Sequence, residues 1–307
     1  MKHAAGARHP RAMLGGLPIG TLEAHGASPS VLALHGFGAT PQEVELAVAV
    51  ARDLGLRALA PLLPGHGLSV EELARTRFED WRSAAERALR QVAPERGPVI
   101  VVGSSMGSLL ALDLAASFPE QVVGVAALAP AIRLAWPFPS LALALVSALR
   151  IPDFTIPKSG PDIRDAGGRG SQVTYARQPA YAGNEVRLAG RRVRARLAEI
   201  RCSAFIAHGK LDHVCPVANA RHVYAELGTP RAEKELLVLP RSYHIITRDV
   251  DRGVLRTRLY CFMKRVTLRV GQRLRAQSQL AAQSQLPVEP YPPAARSVAE
   301  SVSTTSI

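Results

Sequence analysis

The sequence predicts an α/β protein with a mostly parallel central sheet flanked by helices and a cap, or lid, inserted between two core strands. Three observations carry that expectation. Short, continuous apolar runs alternate with longer helical patterns, the mark of parallel strands buried on both faces. The 307-residue chain is 47% hydrophobic, enough to bury a substantial core. The alternation breaks once, over residues 131–200, where two strands ought to be joined by a short connection.

In chain order, Val31-Leu32-Ala33-Leu34 reads as a strand ending in His35-Gly36-Phe37-Gly38. Thr40-Pro41-Gln42-Glu43 then opens a helix, with an N-cap threonine, a first-turn proline and a glutamate three residues after the cap. A second strand, Ala58-Leu59-Ala60, runs into Leu63-Pro64-Gly65-His66-Gly67, after which Trp81, Ala85, Ala88 and Val92 recur at helical spacing. Val99-Ile100-Val101-Val102 leads to Gly103-Ser104-Ser105-Met106-Gly107 and a helix over 108–118 that is apolar nearly all round and so should be buried. Strands are expected over 122–128, 204–207 and 236–239, and a final helix over 249–264. The core then spans 14–130 and 201–268, the cap 131–200, a flexible N-terminus 1–13, and a disordered tail rich in Gln, Ser, Ala and Pro 269–307. Within the cap, an apolar start (136–149) gives way to a Gly, Pro and Asp-rich middle (152–170) and a helix with Val186, Val193, Leu197 and Ile200 on one face. Arg187, Arg191 and Arg194 line up beside that face, as a solvated helix surface or an anion-binding row.

Composition narrows the classes of function. The net charge is +13, but it is scattered, only five of the 38 basic residues are lysine, and aromatics are 5%, so no nucleic-acid partner is expected. Cys202, Cys215 and Cys261 lie too far apart for a zinc site or a disulfide framework. The richest apolar run, 141–149, is bounded by Pro137, Pro139 and Pro152 and is too short for a membrane span. No apolar segment of signal-peptide length follows the basic start, so a soluble, cytoplasmic protein is expected.

Ligands of an open parallel sheet bind at the carboxyl ends of its strands. Gly103-Ser104-Ser105-Met106-Gly107 fits G-x-S-x-G at such an end, where glycines permit a tight turn that holds Ser105 at its tip. A serine hydroxyl needs a base to take its proton and a third group to fix that base. His244 follows the last strand and Asp212 follows the strand ending at Ala207, which brings both to the same edge. Serine, acid and histidine occur in that order, each just beyond a strand. Asp249 and Asp251 are rival acids, but at the start of the final helix they would serve its dipole.

With these residues in view, the chain resembles the α/β-hydrolase superfamily from residue 31 to about residue 265. His35-Gly36-Phe37-Gly38 matches the H-G-F-x loop and Leu63-Pro64-Gly65-His66-Gly67 the L-P-G-H-G segment. Within that superfamily it is most similar to bacterial monoacylglycerol lipases and related small carboxylesterases, through the Ser105 elbow, the Asp212 loop and Ser242-Tyr243-His244-Ile245-Ile246-Thr247-Arg248-Asp249. The resemblance implies an α/β-hydrolase fold, an oxyanion hole made by the backbone N–H groups of Phe37 and Met106, and a lid over an acyl pocket. Ser108 stands where the family usually has a second glycine after the elbow.

The expected activity is carboxylic ester hydrolysis through an acyl-enzyme, with Ser105, Asp212 and His244 catalytic and no metal or cofactor implied. Trp136, Phe138, Leu141 and Leu145 in the cap suggest that the substrate carries an apolar, medium-chain acyl group. The partner is then a small-molecule ester or lipid, with transient contact to an anionic lipid surface as a further expectation. Thioester or carbon–carbon bond cleavage by the same three residues, and a non-catalytic ligand-binding module, are the alternatives. Oligomeric state is not legible in the sequence.

Overall fold

A computed structural model describes residues 12–14, 17–94, 97–134 and 154–284. Its sheet is built by β3 (Leu22–Ala24), β4 (Ala27–Leu34), β5 (Leu56–Ala60), β6 (Val99–Ser104), β7 (Val122–Leu128), β10 (Ser203–Gly209) and β11 (Lys234–Leu239), in the order β11-β10-β7-β6-β4-β5-β3. All pairs are parallel except that of β3 with β5 at one edge. A small antiparallel hairpin, β1 (Ala12–Leu14) and β2 (Leu17–Ile19), precedes it.

The two-residue period of a strand sorts its side chains between two cores. Leu32, Leu34, Val101, Val125 and Ile206 enter one; Val31, Ala33, Val102, Ala126 and Phe205 enter the other. Both faces are therefore covered, which is why the central strands are apolar along most of their length. The first core is closed by α3 (Phe78–Val92), α4 (Met106–Ser117), α6 (Ala180–Ala195) and α7 (Ala218–Glu226). Trp81, Ala85, Leu89 and Val92 of α3 point into it at helical spacing. The second core is closed by α1 (Glu45–Asp53) and α8 (Arg252–Ser284), the latter through Leu255, Leu259, Phe262, Met263, Val266 and Val270. Helix α4 is buried on nearly all sides, as its composition predicts.

Between β7 and β10, which are neighbours in the sheet, the chain runs through an antiparallel pair, β8 (Thr155–Pro157) and β9 (Arg177–Pro179), a short helix α5 (Ala166–Ser171), and α6. Residues 135–153, with the expected acyl-contacting Trp136, Phe138, Leu141 and Leu145, lie outside the described residues. A five-residue helix, α2 (Val70–Ala74), follows the Leu63–Gly67 loop and is capped by the Ser69 hydroxyl.

Several expectations are corrected. The segment after Thr40 is a 3-10 turn, Pro41–Val44, before α1 begins, and Glu43 points inward rather than serving as a capping residue. Ala12 and Met13, expected to close the N-terminal segment, belong to β1. The tail expected to be disordered from residue 269 is helical to Ser284. Ala, Leu, Gln and Arg are good helix formers, and the first proline after β11, past Pro240, is Pro287. The described residues form two units divided after Val270, the second of which is the end of α8. Among the described residues, no helix is long and apolar enough to cross a membrane.

Candidate active site

Strand β6 ends at Ser104, and α4 begins at Met106, so a single residue makes the turn. That residue, Ser105, has φ +52° and ψ −114°, backbone that costs a non-glycine residue about 1–3 kcal/mol. The glycines on either side make the turn possible. A Cβ at Gly103 would lie 2.0 Å from the Gly107 carbonyl oxygen, and one at Gly107 would lie 2.0 Å from that of Leu34. The Ser105 amide donates to the Leu128 carbonyl at 2.8 Å, and the Ser108 hydroxyl donates to the Ser105 carbonyl at 2.5 Å, so the turn is held from β7 and from α4. Serine at 108, where glycine is usual in the resemblance, thus has a bond to make.

The other two predicted residues arrive on loops from β10 and β11. These loops touch closely: a Cβ at Gly209 would meet the Tyr243 carbonyl oxygen at 2.0 Å. The Ser105 hydroxyl lies 2.9 Å from His244 Nε2, to which it donates, and His244 Nδ1 lies 2.7 Å from Asp212 Oδ2, to which it donates in turn. The Asp212 side chain is fully buried, and its Oδ1 accepts from the amides of Val214 (2.8 Å) and Cys215 (2.7 Å). Burial would raise its pKa, but the charge of His244 and the bonds from His208 and His244 hold it well below the usual carboxylate range. Burial pushes the His244 imidazole down, yet the charge and hydrogen bond of Asp212, with Glu43 and Asp162 further off, bring its pKa above the ordinary value. A base stronger than free imidazole thus stands against the serine.

The rival acids are elsewhere. Asp249 is fully buried and accepts amides from Arg164, Asp165 and Val250 on Oδ1 and from Tyr243 on Oδ2. Asp251 accepts from the Arg241 amide and guanidinium and the Ser242 hydroxyl. Both lie just before α8, where the helix dipole was expected to engage them, and their side chains in addition tie loops together.

Other groups around the serine gave no signal in the sequence. Glu43 Oε1 accepts the Gly36 amide at 3.0 Å, and burial pushes its pKa up. Lys158, next to β8, donates to the Thr174 hydroxyl at 3.0 Å; burial pushes its pKa down and the Glu43 charge opposes that. Asp162 takes the His213 ring at 2.8 Å and the amides of His213 and His244, each at 3.1 Å. Ile245 donates its amide to the Asp162 carbonyl. The segment between β7 and β10 therefore grips both catalytic-type loops. Glu43, Lys158 and Asp162, with Ser105 and His244, line a cavity of about 410 Å³ whose apolar wall includes Phe37, Leu134, Ile156, Val186, Val214 and Ile245. That volume is of the size that holds small ligands. Phe37 is on the cavity wall, and Met106 is the first residue of α4 beyond Ser105. A helix N-terminus offers amides that no helical carbonyl takes, the chemistry an oxyanion requires. Among the described residues, no group of three or more His, Cys, Asp or Glu could hold a metal ion.

Comparison with known proteins places the chain among hydrolases. The profile of the family described as serine aminopeptidase, S33 (Hydrolase_4) matches residues 26–251. A thermostable monoacylglycerol lipase of Bacillus sp. (strain H-257) is 29% identical over 225 residues, covering 73% of this chain and 86% of that protein. A carboxylesterase of Bacillus subtilis (strain 168) is 24% identical over 242 residues, 78% of this chain and 94% of that one. A solved structure from work on LipS and LipT, two metagenome-derived lipolytic enzymes, has a TM-score of 0.73 at 28% identity, covering 83% of this chain and 98% of that chain.

Proposed function

We propose, for a chain that belongs to the serine aminopeptidase S33 family (Hydrolase_4) within the α/β-hydrolase superfamily, that its reaction is hydrolysis of carboxylic esters through an acyl-enzyme. The observation that carries this reading is the relay of 2.9 Å and 2.7 Å from Ser105 through His244 to Asp212, beginning at a residue with strained backbone. Its lipase and esterase relatives support the ester as the bond.

Ser105 Oγ attacks the ester carbonyl while His244 Nε2 takes its proton, and Asp212 holds the imidazole with Nδ1–H toward the carboxylate and stabilises the imidazolium. The Phe37 and Met106 amides bind the developing oxyanion. His244 then protonates the leaving alcohol. Water, deprotonated by His244, attacks the acyl-enzyme and returns Ser105. The mostly apolar wall of the cavity suits an acyl chain, for which each buried methylene is worth about 0.8 kcal/mol. Monoacylglycerols and simple esters of medium chain are the substrates this reading favours, with residues 131–200 as the lid and with transient contact to a lipid surface. Lys158, Thr174 and Gln178 on the cavity wall are polar enough to meet an alcohol with free hydroxyls.

The test is a rate series on p-nitrophenyl and monoacylglycerol esters of increasing chain length, with Ser105→Ala as the blank. Turnover that depends on Ser105 and peaks at a medium chain is expected, and Ser105→Ala should lose at least about a thousandfold in kcat. Equal rates from the variant would end the acyl-enzyme scheme.

A further inference from the structure

Asp212 is shared. Besides His244, a second imidazole reaches it: His208 Nε2 lies 2.9 Å from the same Oδ2 and 3.1 Å from the Cys215 carbonyl oxygen. His208 is fully buried in the last turn of β10, opposite Val238 of β11, and its Nδ1 is enclosed without a hydrogen-bond partner. The tautomer follows from these contacts. A ring nitrogen facing two acceptors must carry the hydrogen. A lone pair on the enclosed Nδ1 is tolerable, whereas a proton there would be a buried donor with nothing to bond. His208 Nε2 therefore carries the hydrogen and points an N–H at the carboxylate.

We propose that His208 is a positioning residue for the reaction, holding Asp212 ionised and turned so that Oδ2 faces His244. The proposal rests on the ester-hydrolase reading above. With His208 in place, each carboxylate oxygen takes two donors: Val214 and Cys215 amides on Oδ1, His244 and His208 on Oδ2. The two amides and His244 come from loops, while His208 comes from a strand paired on both sides within the sheet. It is thus the donor tied to the rigid part of the fold, and rigid elements place functional groups better than loops do. Without it the carboxylate could rock about its Oδ1 edge and carry the imidazole away from Ser105.

The same bond sets how basic His244 is. The His208 N–H on Oδ2 takes up part of the carboxylate charge, and its loss leaves more of that charge to the imidazolium, so the His244 pKa should rise. The other titratable groups facing this pair are Cys215 on the acid loop, Asp162 from the segment between β7 and β10, and Glu43 before α1, with Lys158 acting on Glu43. None of them replaces the missing donor, since each acts on His244 or Cys215 through charge rather than on Asp212 Oδ2 through a hydrogen bond.

The experiment compares wild type, His208→Leu, His208→Gln and His208→Asn. A glutamine amide reaches the place of Nε2 and leucine removes the donor; asparagine is polar but too short. Three quantities are read for each: kcat and KM against pH on a p-nitrophenyl ester, the rate at which a fluorophosphonate labels Ser105, and the thermal unfolding midpoint. His208→Leu should lose about 10- to 100-fold in kcat and in labelling rate at nearly constant KM, with the acid limb of kcat/KM moved to higher pH. His208→Gln should return to within a few-fold of wild type with the limb restored. If the leucine chain does not fold, asparagine takes its place in the comparison. Wild-type kcat and acid limb in His208→Leu would overturn the proposal, as would a folded His208→Gln that falls as far as the variant without a donor. A wild-type protein that is labelled at Ser105 yet cleaves no ester would instead count against the ester reading, and the labelling rates would still decide the role of His208.

Discussion

Asp249→Asn replaces one atom and should nonetheless cost the protein several kilocalories. The carboxylate is fully buried and accepts four backbone amides: Arg164 at 3.0 Å, Asp165 at 2.9 Å and Val250 at 2.8 Å on Oδ1, Tyr243 at 2.6 Å on Oδ2. Asparagine can turn its carbonyl toward the three amides of the first edge. Its NH2 group must then face the Tyr243 amide, donor against donor. A charge-assisted bond worth about 1.5–3 kcal/mol is lost, and a buried N–H left without an acceptor adds about 1–3 kcal/mol. A loss near 3 kcal/mol lowers the unfolding midpoint by roughly 6–12 °C at the usual 2–4 °C per kcal/mol for a domain of this size. Thermal unfolding followed by circular dichroism at fixed pH measures it. Asp249 also joins Arg164 and Asp165 to the residue before His244, so ester turnover should weaken with the fold rather than vanish. A variant melting within about 2 °C of wild type would refute the reasoning, because the conflict at Tyr243 would then have been relieved at no cost.

Two further expectations follow from the site. Gly107→Ala places a Cβ 2.0 Å from the Leu34 carbonyl oxygen, between a helix and a strand that are both buried; the variant should be recovered as misfolded or insoluble protein, and a soluble, labelled Gly107→Ala would contradict the packing. Glu43→Gln keeps an acceptor for the Gly36 amide but removes a negative charge that raises the His244 pKa. Under the proposed mechanism neutral His244 is the active form, so the acid limb of kcat/KM should move to lower pH, and an unmoved limb would mean that Glu43 carries no charge over that range.

The sheet and the three residues of the relay were legible because each signal was local. β6 is β-branched, the elbow needs glycine at fixed spacing, and Asp212 and His244 each follow a strand. What escaped depends on contacts made across the chain. Glu43 satisfies the local rule for a capping residue, yet it lies beneath the Gly36 amide because a 3-10 turn precedes α1. Asp249 and Asp251 stand where a helix dipole favours carboxylates, and the loop amides they also bind come from as far back in the chain as Arg164. Lys158 and Asp162 come from a Gly, Pro and Asp-rich stretch with no period to read, and their roles appear only when β8 and β9 pair and bring the stretch to the cavity. β1, β2 and β3 are three residues each, too short for alternation to show. The helical end of α8 was hidden by composition: glutamine, serine and alanine read as disorder unless their helix propensity is weighed against the lack of proline.

The placement of the strands also determines when the site can exist. Ser105 precedes His244 by 139 residues, and His244 follows β11, the outermost strand on its side of the sheet and the last among the described residues. During synthesis the elbow is complete while its base is still unmade. The Asp212 loop comes later, 32 residues before the histidine. The seat of His244 comes later still, since it depends on Asp249 and on the closed loops beside α8. On the proposed mechanism, a chain interrupted before residue 244 would carry Ser105 and its flanking glycines but no histidine to take the hydroxyl proton. Under the proposed mechanism, reactivity is thus tied to completion of the chain through β11 and the loop beyond it.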